Sequence, residues 1–163
     1  MASIDLSTAG IRVGIGYESV SGTKPSAFVN LPKPKSIPDM NPDPSALDTS
    51  HLNIEQGGFK TYIEGLKDMG GSLAITFGMT QEFFAIWETF VETSKTNAAS
   101  NKRSWMVFYV PGLAKSFFMT VEPSMFGMPA AEVDSVLDVE VRVMPTGEIG
   151  WDTAINPTDA ASA

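Results

Sequence analysis

The chain has 163 residues, with 11 Lys and Arg against 19 Asp and Glu, for a formal net charge of −8. That balance argues against a firm grip on a phosphate backbone or an anionic lipid surface, which needs clustered cations. With no cysteine and one histidine, His51, disulfides, thiolate metal sites, a cysteine nucleophile and a His-rich metal centre all drop out. Apolar residues make up 43% and charged residues only 18%, enough to bury the core of one domain. No apolar run approaches the ~18 residues that a membrane span needs. The start lacks the basic and apolar stretches of a secretory signal. The expectation is a soluble protein made in the cytosol.

In chain order, residues 1–9 read as an arm. Residues 11–20 alternate, with Ile11, Val13, Ile15 and Tyr17 on one side and Arg12, Gly14, Gly16 and Glu18 on the other; this is the period-2 pattern of a half-buried strand. A short strand is expected at 27–31. Six of the 11 prolines fall between residues 25 and 44. Proline has no N–H to donate and is excluded from strand and helix interiors, so residues 32–50 read as a long mobile loop. Glycines break residues 57–71 into short pieces and turns. A strand follows at 72–79, where Leu73, Ile75, Phe77 and Met79 share a side.

Residues 80–96 form the one expected helix. Thr80 suits the N-cap and Glu82 the first turn. Phe83, Ile86, Trp87, Phe90 and Val91 recur at helical spacing. Residues 105–110 and 115–122 read as a hairpin around Pro111-Gly112, and 136–144 as a strand. Pro145-Thr146-Gly147 is expected to turn into a last strand at 148–152, and residues 154–163 to form a flexible tail. About seven strands, one helix and no βαβ alternation predict a mainly β fold. It is an antiparallel β-sandwich or barrel with one flanking α-helix, in a single domain over 1–153.

Chemistry-bearing patterns are sparse. Gly14-x-Gly16 lacks the third glycine of a dinucleotide fingerprint and continues as strand. Asp39-Met40-Asn41-Pro42-Asp43 starts like a calcium loop, but Pro44 stands where glycine is needed and Ser50 where a bidentate Glu is needed. His51 has no elbow or fixed partner, and reads as a surface or hydrogen-bonded histidine. Asp138 and Glu140 share one side of a strand about 6–7 Å apart. That spacing suits a carboxylate pair, and suits an ordinary solvated face better. Phe83, Phe84, Trp87 and Phe90 read as core. One of the adjacent Phe117 and Phe118 must point outward, towards a contact. The nine methionines suit adaptable interfaces. No cofactor, metal or catalytic residue is expected.

One set of segments, taken together, resembles the major tail tube proteins of long-tailed, siphophage-type bacteriophages. These are residues 37–50, the Gly65-Leu66-Lys67-Asp68-Met69-Gly70 turn, Leu73-Ala74-Ile75-Thr76-Phe77, the helix after it, and the late Gly147-to-Trp151 ending. The likeness runs over about residues 30–152. It implies a β-sandwich with a flanking helix, similar in architecture to the type VI secretion tube protein. Hexameric rings would stack into a hollow conduit for viral DNA, which passes without specific binding. It further implies a virion location after assembly in the bacterial cytoplasm, and tape measure, tail terminator and tail-tip proteins as partners. No active site and no membrane contact are implied. The loop that reaches neighbouring subunits would carry Lys33, Lys35, Ile37, Met40 and Leu47. Asp138 and Glu140 are the candidates for an acidic lumen.

Three other readings stay open. A tail terminator or head–tail joining ring has similar size. A carbohydrate-binding or adhesin sandwich would use Trp105, Trp151 or Tyr109. A small hydrolase would use Asp138 and Glu140.

Overall fold

The computed structural model describes residues 4–49 and 58–159; the expectation for His51 lies outside the described residues. In chain order the elements are β1 (Arg12–Tyr17), β2 (Val29–Leu31), β3 (Pro34–Ser36), β4 (Pro44–Asp48), β5 (Tyr62–Lys67), β6 (Leu73–Gly78), α1 (Gln81–Ala98), β7 (Ser104–Tyr109), β8 (Lys115–Pro123) and β9 (Asp138–Thr153). They fall into two compact units, Met1–Pro38 with Ser72–Ala163, and Asp39–Gly71.

The larger unit is a seven-stranded antiparallel sheet in the order β2-β1-β7-β8-β9-β6-β3. Its two edge strands are neighbours in sequence, with only Pro32 and Lys33 between them. A residue spans at most about 3.6 Å of chain, so this link draws the edges together and the sheet curls into a nearly closed barrel. Lys33 makes the corner at φ 53°, and its carbonyl accepts the Gly78 N–H at 2.9 Å. The fold is therefore mainly β with one helix, as the alternation patterns predict.

Register explains the core. Val13 pairs with Phe108, Ile15 with Met106, Met106 with Met119, and Ile75 with Val141. All are buried, and directly paired residues lie on one face of the sheet. Helix α1 turns its apolar stripe to this face. Phe83 stacks on Phe77 with centroids 4.7 Å apart, and Phe90 meets Tyr17 at 5.8 Å. Thr80 caps the helix by accepting from the Phe83 N–H at 3.1 Å. Trp87 is fully buried, and its indole donates to the Ser124 carbonyl at 3.0 Å.

The opposite face is covered at its β1–β7–β8 end by Phe28 and Ile155, which pack with Trp105, Val107 and Phe118. Pro157 lies over Gly14, where a Cβ would come within 2.7 Å of the proline ring. This close approach accounts for the glycine.

Three expectations are corrected. Residues 32–50, read as one loop, contain β3 and β4. Each begins with its proline, at the edge of its sheet, where a missing N–H breaks no ladder. The turn expected at 145–147 is instead a bulge inside one 16-residue strand. Strand β8 pairs on both sides of it, Met119 with Ile149 and Val121 with Pro145, and the Thr120 hydroxyl accepts the Glu148 N–H at 3.0 Å. The tail expected to be flexible from residue 154 is held through residue 159. Thr158 bridges to Val29 in parallel, its carbonyl accepts the Asn30 N–H at 2.7 Å, and its N–H donates to Phe28 at 3.0 Å.

Candidate functional site

The smaller unit is a two-stranded antiparallel hairpin, β4 with β5. Gly65, Leu66 and Lys67, expected in a turn, are the last residues of β5. The pairing shifts opposite Ser45, and a Cβ at Gly65 would lie 2.2 Å from the Ser45 hydroxyl. The glycine thus serves a bulge. The turn proper begins at Asp68, whose carboxylate accepts the Gly70 N–H at 2.8 Å; Gly70 and Gly71 follow at φ 86° and 87°. Leu47 pairs with Ile63, and both are exposed together with Tyr62; Leu66 is 90% exposed and Phe59 92%. Met40 is half-buried, beside the turn in which Asp39 accepts the Asn41 N–H at 2.9 Å.

Asp138 and Glu140 share the sheet face opposite α1. Each meets a cation: Lys35 bonds Asp138 at 2.6 Å, and Arg142 bonds Glu140 at 2.8 Å. Lys35 and Asp138, singled out separately in the sequence, are therefore partners. Each of the two carboxylates is thus matched by one cation. Neither carboxylate is placed as a free acid or base. Lys33 sits at the barrel's closing link, away from any ion pair among the described residues, and Ile37 is half-buried beside β3.

The charged group that sequence reasoning missed is Glu18. Alternation places it outward, yet it is 2% exposed. Its two oxygens receive the Arg103 guanidinium at 3.0–3.2 Å and the Arg103 backbone N–H at 2.6 Å. Burial pushes the Glu18 carboxyl up; hydrogen bonds, foremost the side-chain and backbone ones from Arg103, together more than offset it, so it titrates below its ordinary value. Its hydrogen bonds to Glu18 raise the Arg103 guanidinium further. Arg103 also reaches Glu148 on the β9 bulge at 3.3 Å. One cation thus ties β1, β7 and β9. The readable signal was Gly14 and Gly16: a face lined with glycines in an apolar strand is approached closely from outside, and a carboxylate continuing it needs a cation.

Trp105, a candidate stacking surface, is buried, while Trp151 is exposed and meets Phe117 edge-on at 5.4 Å. Among the described residues no three His, Cys, Asp or Glu side chains gather to hold a metal ion, and no helix is long and apolar enough to cross a membrane.

With this geometry, the chain is similar in fold to a chain in the six-fold symmetrised cryo-EM structure of the anti-feeding prophage baseplate. The TM-score is 0.59, over 94% of this chain and 98% of that one. At 10% identity the likeness is one of fold. No family model and no curated protein matches the sequence.

Proposed function

We propose that the chain is a structural, non-catalytic subunit of a phage-tail-type particle, and within that class a tail tube subunit whose hexameric rings stack into a conduit for DNA. The observation that carries this reading is the exposed hairpin. A two-stranded hairpin is marginal in water on its own, and clustered exposed apolar side chains mark an interaction surface. On this hairpin Leu47 and Ile63 pair on one face while Tyr62 and Leu66 stand on the other, and all four are exposed, as is Phe59 before it.

Two further points support it. The fold is shared, over nearly the whole length of both chains, with a component of a particle of six-fold symmetry. A net charge of −8 disfavours retention of a sliding polyanion. In this reading Asp138 and Glu140 look towards the lumen, with Lys35 and Arg142 moderating their charge. Tape measure, tail terminator and tail-tip proteins are the partners.

Sedimentation velocity and negative-stain microscopy of concentrated protein test it. Six-fold rings with a central hole, stacking into tubes, are expected. Rings that never stack point to a terminator or joining ring instead. A monomer at every concentration overturns the reading.

One observation favours a second reading. Trp151 beside Phe117 offers an exposed aromatic platform of the kind that stacks on sugar rings. Glycan binding lost on Trp151→Ala would favour it over assembly.

A further inference from the structure

A cleft of about 620 Å³ opens at the C-terminal end of α1, with Val91, Ala98, Val121 and Pro123 among its walls. Lys95, Lys102, Arg103 and Glu122 line the cleft beside these apolar residues. Lys95 and Lys102, like Arg12, Lys33, Lys60, Lys67 and Lys115, have no ion pair among the described residues, and of that set these two line the cleft. In a chain with 19 acidic residues, two unmatched ammonium groups over an apolar floor select an acidic partner with an apolar centre.

The chain carries a segment with that chemistry. Glu132-Val133-Asp134 stands at the tip of the connection between β8 and β9, with Val133 92% exposed. Neither carboxylate is in an ion pair among the described residues. The tip is already shaped as a turn: Asp134 takes φ 58° and the Ser135 hydroxyl donates to the Glu132 carbonyl at 3.0 Å. A preformed turn loses little freedom on docking.

We infer that the cleft at the end of α1 receives residues 132–134 of a second copy of this chain, Val133 on the apolar floor and its flanking carboxylates on Lys95 and Lys102. The contact joins two different surfaces, so it is head-to-tail and propagates into a ring or a filament. This deepens the assembly reading and rests on it.

The chain has no cysteine, so introduced thiols report proximity cleanly. Val133→Cys protein mixed with Ala98→Cys protein and mildly oxidised should give several-fold more disulfide-linked heterodimer than Val133→Cys mixed with Thr89→Cys, a position on the exposed side of α1. Independently, K95E/K102E and E132K/D134K should each weaken self-association at least about tenfold. An equimolar mixture of the two should recover alternating association, which misfolding cannot produce. Equal cross-linking at both helix positions, or unchanged association of the reversed variants while the wild type still forms rings, overturns this contact and leaves the ring reading standing. A wild type that never associates overturns both.

Discussion

A carboxylate with no exposed side-chain surface holds its charge only if its cation is in place, and Glu18 is in that position opposite Arg103. Removing one partner of a buried pair leaves an uncompensated charge and costs about 3–5 kcal/mol, so Arg103→Ala should lower the melting temperature sharply in calorimetry. The pH dependence has a definite sign. The folded pKa of Glu18 lies below its ordinary value, so its contribution is complete above the unfolded pKa and is lost as pH falls through the folded one. Glu18→Gln should flatten that acid limb of the stability curve. Gly14 gives a test of packing. Gly14→Ala puts a Cβ within 2.7 Å of Pro157, and overpacking of this kind costs about 1–3 kcal/mol. Limited proteolysis should then cut near residues 154–159 sooner than in the wild type. The glycines at 14 and 16 signalled a close approach, but the partners of Glu18 and Gly14 were not legible in sequence. Alternation reports which side of a strand a residue is on, and it cannot report that a distant C-terminal segment covers that side. Asp138 and Glu140 were legible as a shared face, but the pairing with Lys35 depends on β3 being the edge strand next to β6.

Among the elements, those with strong local signals were readable. Helix α1 has its cap, acidic first turn and apolar stripe written in consecutive residues, and Thr80→Ala should cost about 1 kcal/mol, seen as a small loss of melting temperature with the far-UV spectrum retained. Strands β1, β6, β7 and β8 followed from alternation and the Pro111-Gly112 turn. The failures share a cause: proline and glycine were read as local punctuation where tertiary pairing decides. Pro34 and Pro44 open edge strands, Gly65 serves a bulge, and residues 146–148 bulge because β8 runs past them on both sides. The hairpin illustrates what composition hides. Leu47, expected at a subunit contact, stands in solvent together with Tyr62, Ile63 and Leu66. Ile63→Ser with Leu66→Ser should therefore leave the main thermal transition within about 0.5 kcal/mol of wild type, as surface changes do, while reducing self-association. A large loss of stability instead would assign these side chains to the core.

For the molecule as a whole, charge and apolar contact oppose each other in assembly. Subunits of net charge −8 repel one another over the Debye length, about 10 Å at 0.1 M salt. Burial of the hairpin's apolar side chains is insensitive to that screening, and close ion pairs desolvated on contact are screened much less than the long-range repulsion. Moderate salt should therefore strengthen association rather than weaken it. Lowering the pH towards the isoelectric point near 4.5 removes the repulsion more directly. The fold tolerates the approach, because Glu18 keeps its charge until below its ordinary pKa. Assembly should then be stronger at pH 5 than at pH 8 at equal salt, with secondary structure unchanged. Sedimentation velocity at the two pH values, paired with far-UV circular dichroism, reads both quantities. Association that weakens with salt and with falling pH would mean that long-range attraction between opposite charges, rather than the apolar hairpin, holds the copies together.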